Sequence, residues 1–222
     1  MTVRTAELAA SVDAVERHFH GLLDALEHLR GLLVEPFDRG PVDSATVRST
    51  IEPFVKTFLG SHDIVGAGFV AGRDALSDET LHLVWWQGDD QHLLADADAP
   101  GTTDPLDYTR HTWFRTPERT GEPYVTGPYV DFVCTDEYVM TATAPVVSHG
   151  RMVGVVGADT LVETLERLVL PTLREVGATL VNDLGRTVVS ADPHLATGTL
   201  VDLETFGEAV ACQRLPLSVV RP

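Results

Sequence analysis

The chain carries 222 residues, 44% of them hydrophobic, with 33 acidic against 16 basic side chains and a formal net charge of −17 at pH 7. A chain of this length builds one well-buried core and is short for two independent ones. Its acidity repels phosphate backbones and anionic lipid surfaces, so direct nucleic-acid binding and membrane docking are excluded from the expected functions.

The strongest periodicity comes first. Leu8, Val12, Val15, Phe19, Leu22, Leu26, Leu29 and Leu33 step by fours and threes, a heptad seam that presents one narrow apolar stripe. Glu7, Asp13, Glu16, Arg17, Asp24, Glu27 and Arg30 lie between them as a solvated face. Such a stripe packs either on the protein's own sheet or against the same helix of a second copy. Its narrowness favours the second, because a contact within a globular fold usually needs a wider band. Residues 1–36 are therefore expected to form a dimerising helix that stops near Glu35-Pro36, where proline disfavours α geometry in the residue before it. Glu7, Asp13 and Glu16 also stand where a secretory leader would be apolar, and no window reaches the apolar length of a membrane span. A soluble, cytoplasmic homodimer is the expectation.

A second helix is expected over residues 44–59, with Val47, Ile51, Phe54, Val55 and Phe58 on its buried side. Pro53 should bend or divide it and Gly60 should cap it. Strands follow at 64–70 and 81–87, and the acidic, aperiodic run from Asp89 to Pro105 reads as a loop. From Tyr124 the texture turns to β, with strands at 124–132, 138–147 and 152–159 and a tight hairpin at Ser148-His149-Gly150-Arg151. An amphipathic helix over 160–176, disturbed at Pro171, leads to a closing hairpin, 178–181 and 186–190, turned by Asn182-Asp183-Leu184-Gly185. Residues 37–192 thus form the body of the protein, and the weakly patterned tail, 193–222, is assigned to no element. Hairpin-joined strands imply an antiparallel sheet with helices gathered at one side, an α+β fold.

Several stretches resemble one family. Tyr108-Thr109-Arg110-His111-Thr112-Trp113-Phe114, Gly127-Pro128-Tyr129-Val130-Asp131 and Val153-Gly154-Val155-Val156-Gly157-Ala158-Asp159 resemble the ligand-binding module of Cache domains. Asp63-Ile64-Val65-Gly66-Ala67-Gly68-Phe69, Leu83-Val84-Trp85-Trp86 and Leu180-Val181-Asn182-Asp183-Leu184-Gly185-Arg186-Thr187-Val188 are similar to that family too, in the same order along the chain. The resemblance implies a PAS-like antiparallel sheet, a single Cache domain, behind a long N-terminal helix, with a small-molecule pocket on one face. Most relatives are extracellular parts of chemoreceptors and sensor kinases. This chain looks more like the free-standing cytoplasmic members, which signal through a separate partner; a transcription regulator is the partner expected here.

In the amino-acid- and amine-binding members the pocket is marked by Arg-x-Trp-Tyr, a later tyrosine and a later aspartate. Trp113, Tyr129 and Asp159 stand at matching positions, whereas His111 replaces the arginine and Phe114 the second aromatic. The arginine grips a ligand carboxylate bidentately, so its replacement weakens the acid half of the site and leaves the amine half. The candidate ligand contacts are Tyr108, His111, Trp113, Phe114, Tyr129, Asp131 and Asp159, joined by Trp86 from the strand at 81–87. The expected ligand is an amine, an amino acid or a small carboxylate.

The chemistry of these residue types fits a cation. Carboxylates supply charge and aromatic faces supply cation–π contact. Asp159 ends an apolar strand, where it serves either as a partly desolvated ligand acid or as a cap for the next helix. Tyr129 and Asp131 share a strand face by alternation, adjacent Trp85 and Trp86 cannot, and Thr141 and Thr143 offer hydroxyls if they are more than β-formers. No cofactor, metal site or catalytic residue is expected. His18, His20 and His28 lack an i,i+4 pair, and Cys134 and Cys212 lack ligand spacing. Two other readings stay open: a ligand-free interaction module working by dimerisation alone, and a hydrolase using Cys134 with Asp136 and His111 or His149.

Overall fold

In the computed structural model, which describes residues 7–94, 107–131 and 136–222, the N-terminal periodicity becomes one helix, α1, from Ala9 to Arg39. It runs a turn past the expected stop. Pro36 forfeits one backbone donor, and the extra turn buries Phe37, whose ring lies 6.1 Å from that of Phe69.

The seam corrects the expectation for this helix. Leu8, Val12, Val15, Phe19, Leu22, Leu26, Leu29 and Leu33 are each between 0 and 7% exposed in the single chain. Ser11 and Phe37 join them, which widens the stripe to the breadth of a globular contact. These side chains are consumed by the chain's own core, so a dimer would have to be built from other residues.

Contacts divide the chain into two compact units that cut across the division at 36 and 192. One contains residues up to 21 with 125–140 and 160–222; the other contains 22–124 with 141–159. In the second unit, α2 spans Ser44–Ser61. The Asp43 carboxylate accepts the Thr46 N–H at 2.7 Å, and Asp78 accepts both the N–H and the hydroxyl of Ser44. These bonds hold both carboxyls below their ordinary range. Pro53 neither bends α2 into two elements nor ends it, and Gly60 lies inside it; the cap is His62. Val47, Ile51, Val55 and Phe58 are buried, whereas Phe54 is half-buried and packs beside His28.

Six strands follow, β1 (Gly66–Ala71), β2 (Leu83–Gln87), β3 (His92–Leu94), β4 (Tyr124–Val130), β5 (Tyr138–Ser148) and β6 (Arg151–Leu161). They form one sheet in the order β3-β2-β1-β6-β5-β4. β1 pairs antiparallel with both β2 and β6, Gly68 facing Trp85 on one side and Gly157 on the other. β3 falls inside the run read as a loop, and a short helix, α3 (Thr112–Thr120), was not anticipated at all. The β5–β6 turn is the expected tight hairpin. His149 and Gly150 both have positive φ, 47° and 75°, as a primed turn requires.

The other unit adds α4 (Val162–Val176) and the strands β7 (Thr179–Asn182), β8 (Thr187–Ser190), β9 (Glu208–Ala211) and β10 (Leu217–Arg221). The closing hairpin does not join the larger sheet. It pairs with the tail in a second sheet, β8-β7-β10-β9. The tail is also tied to the first turns of α1. Arg221 donates to Glu7 at 2.8 Å and to Glu208 at 2.7 Å, and the Gln213 N–H donates to Glu16 at 2.6 Å. The whole is α+β with antiparallel sheets and a long N-terminal helix, and no described helix is long and apolar enough to cross a membrane.

Leu26 has no exposed surface, so Leu26→Ala should cost about 2–5 kcal/mol in urea unfolding. Sedimentation should show the same association state as wild type. A change of that state without loss of stability would return the seam to an intermolecular role.

Candidate functional site

The two faces of β1, β2 and β6 differ sharply. One carries Ala67, Phe69, Val84, Trp86, Val156 and Ala158, all at most 2% exposed. The opposite face carries Gly66, Gly68, Trp85, Gln87, Gly157 and Asp159. Strand alternation places them so, and the glycines decide what fits there. A Cβ on Gly68 would lie 2.0 Å from the Val84 carbonyl oxygen, and one on Gly66 would lie 2.4 Å from Trp85 Nε1. One on Gly157 would meet both the Trp85 ring and the Thr143 methyl at 3.3 Å. The Trp85 indole therefore lies low over Gly66 and Gly157, its N–H edge at Gly66.

Asp159 stands on this face, 6% exposed. The Thr141 hydroxyl donates to its Oδ1 at 2.5 Å, and its backbone carbonyl accepts the Val65 N–H at 2.8 Å. It is not a helix cap: α4 begins at Val162 behind Leu161, with no side-chain cap. The carboxylate is thus placed by the sheet and by Thr141, and burial in such surroundings favours a cationic partner.

Helix α3 supplies the aromatic side of the site. Trp113, Phe114 and Tyr108 pack with Trp85, Val70 and Val155 in one cluster. The Thr143 hydroxyl donates to the Trp113 carbonyl at 2.9 Å, pinning the start of α3 to β5. Tyr108 belongs to a 3₁₀ turn at 108–110, set by Asp107, whose carboxylate accepts the Thr109 N–H and hydroxyl. These bonds, helped by Arg73 and Arg110, hold the Asp107 carboxyl below its usual range. His111 is the exposed N-cap residue of α3 and stacks on Trp113, ring centroids 5.6 Å apart and 9° from parallel.

Of the residues expected at a site, Trp113, Phe114 and Tyr108 come together, and Asp159 shares the sheet face that carries their neighbour Trp85. Trp86 does not join them. It is 1% exposed on the opposite face, paired with Ala67 in the core. Alternation admits one indole of the pair, and that one is Trp85. Tyr129 and Asp131 belong to the other compact unit, Tyr129 half-buried in β4 and Asp131 buried just beyond it, its N–H donating to the Glu137 carbonyl. Trp85 and Thr141, weighed in the sequence but left out of the candidate contacts, are the residues the structure sets beside Gly66 and Asp159. A signal existed for Trp85, since alternating Gly66 and Gly68 mark the face of β1 that a large neighbour approaches closely.

A cavity of about 240 Å³ opens at the β2–β3 end of the sheet, lined by Ser44, Arg48, His82 and Leu93 among others. No carboxylate is among the residues that line it. Cys134 lies outside the described residues. Cys212 is buried, and burial together with Glu16 pushes its thiol up to about 12, far from a nucleophile's range. Among the described residues no group of three or more His, Cys, Asp or Glu side chains could hold a metal ion.

A family model for the methyl-accepting chemotaxis protein-like first PDC sensor domain matches residues 51–167. The chemotaxis protein TlpQ of Pseudomonas aeruginosa is 25% identical over 226 residues, covering 89% of this chain, which spans 31% of that protein's length. The isoleucine-bound sensory domain of the Campylobacter jejuni chemoreceptor Tlp3 superposes with a TM-score of 0.68 at 15% identity, covering 98% of this chain and 89% of its own. The ligand-binding domain of the Pseudomonas aeruginosa amino acid chemoreceptor PctC, in complex with GABA, superposes at 0.61 with 18% identity, covering 96% and 95%.

Two outcomes test the face as built. Gly66→Ala should displace the Trp85 indole, altering the near-ultraviolet circular dichroism and costing about 1–3 kcal/mol of stability. Cys212 should resist iodoacetamide at pH 8 in the native protein and react once urea unfolds it, as peptide mass spectrometry would record; rapid native labelling would refute the burial.

Proposed function

We propose, for a chain that belongs to the methyl-accepting chemotaxis protein-like first PDC sensor domain family, that the Asp159 face binds a small ligand through its ammonium group and that binding is relayed to a partner protein. The observation that carries this reading is the buried Asp159 carboxylate, oriented by Thr141, on the face whose aromatic cluster includes Trp85 and Trp113. A buried carboxylate answers a ligand cation strongly, and indole faces add cation–π attraction. Relatives point to the same class of ligand. Tlp3 is seen with isoleucine and valine, and PctC with GABA, all of which carry an amino group. His111 at the mouth of α3 is a weaker carboxylate partner than arginine, so free amines belong in the ligand class beside amino acids.

Signal transfer follows from differential affinity. A ligand shifts a two-state protein only by binding one state better than the other, and a partner protein reads the change. The non-catalytic character of this reading agrees with the family. Dimerisation is part of the same proposal only through surfaces other than the α1 stripe.

Asp159→Asn keeps shape and removes charge. Calorimetric affinity for an amine or amino acid that stabilises the wild type should fall by about 2–5 kcal/mol, at least roughly 30-fold in Kd. Unfolding of the free protein should change far less than that. Undiminished affinity in this variant would place the ammonium site elsewhere.

A further inference from the structure

The sheet face holds a buried donor that the fold leaves unanswered. Trp85 is 6% exposed, yet its Nε1 is buried and has no hydrogen-bond partner. Indole N–H groups are donors only, and a buried donor without an acceptor costs free energy, which is why such groups are rarely left so. The atom is not displaced by chance into an apolar corner. It sits over Gly66, whose Cβ would fall 2.4 Å from it, and Gly66 is the ladder partner of Asp159. Directly opposed side-chain positions on neighbouring strands lie about 4.5–5.5 Å apart. The orphan donor and the buried acceptor Asp159 are therefore neighbours, and no bond joins Trp85 Nε1 to that carboxylate.

We infer that the Trp85 indole N–H is a ligand-binding donor, which receives an acceptor oxygen of the ligand while Asp159 receives its ammonium. The pair makes the site selective for compact molecules that carry a cationic nitrogen and a carboxylate or carbonyl oxygen within about one strand spacing, as an α-amino acid does. A donor beside an anionic acceptor is complementary to a cationic group flanked by an acceptor oxygen, and most fully to a zwitterion. This deepens the ammonium reading of the Asp159 face and rests on it. It also supplies a carboxylate contact in a chain whose exposed His111 is occupied in stacking on Trp113.

The chain holds three tryptophans, so a ¹⁵N-labelled sample gives three indole N–H signals, and Trp85→Phe identifies the one that belongs to Trp85. The probes are the proteinogenic L-amino acids and the primary amines formed by removing their carboxyl groups. Amino acids that bind should move the Trp85 indole signal downfield, and Trp85→Phe should weaken them at least tenfold by calorimetry, well beyond its effect on the matching amines, which lose only the difference between an indole and a phenyl face. An unmoved signal, equal amino-acid affinity in Trp85→Phe, or binding of amines alone would overturn the inference and leave the ammonium site standing. Failure of every probe to bind the wild type would instead bring down the ammonium reading itself. Should Trp85→Phe fold poorly, the wild-type indole shift decides between these outcomes.

Discussion

The close approach of β1 to β2 governs what this face can be. At Gly68 there is no room for even a methyl group, since a Cβ would stand 2.0 Å from a backbone oxygen of the neighbouring strand. With glycine also at 66 and 157, where a Cβ would meet the ring, the Trp85 indole settles almost onto the backbone. That low seat puts its N–H edge over Gly66, the ladder partner of Asp159, and packs the ring with Trp113, Phe114 and Tyr108. Glycine interrupts strand packing and costs chain entropy; here the gain is a flat aromatic floor with a carboxylate at its edge.

The same three strands separate stability from recognition by alternation alone. Along β6, Val156 and Ala158 point into a fully buried apolar layer, and Gly157 and Asp159 point the other way. Trp86 and Trp85 repeat the division on β2. The apolar layer, with the α1 stripe and the buried face of α2, supplies the bulk of the hydrophobic stabilisation, each fully buried aliphatic side chain contributing about 1.5–3 kcal/mol. The recognition face can then carry a buried carboxylate, because the desolvation it imposes is offset by the hydroxyl of Thr141. Thr143, two residues on, performs the matching task for the aromatic side by holding the Trp113 backbone. Two threonines that β propensity alone would explain thus fix the Asp159 carboxylate and the start of α3.

A family relationship adds direction to this geometry. Structures at 15–18% identity share the fold, and at that distance the fold alone is common property. The Asp159 face of this chain therefore carries the ammonium proposal by itself.

Local pattern was enough for the α+β class, the heptad-spaced helix, the β5–β6 hairpin and the opposition of Trp85 to Trp86, because helix and strand periods and turn chemistry act over a few residues. The resemblance its motifs carry pointed to Trp113, Phe114, Tyr108 and Asp159, and the structure gathers the first three into one cluster. What the pattern left open was decided by distant partners. The α1 stripe looks the same whether a sheet or a second helix covers it, and only the folded chain shows it buried within one copy. The tail strands pair with β7, a long way back in sequence, and their modest alternation did not announce it. Trp85 could be chosen over Trp86 only once register set it against Gly68 and Gly157, since facing is a property of strand pairing and not of composition.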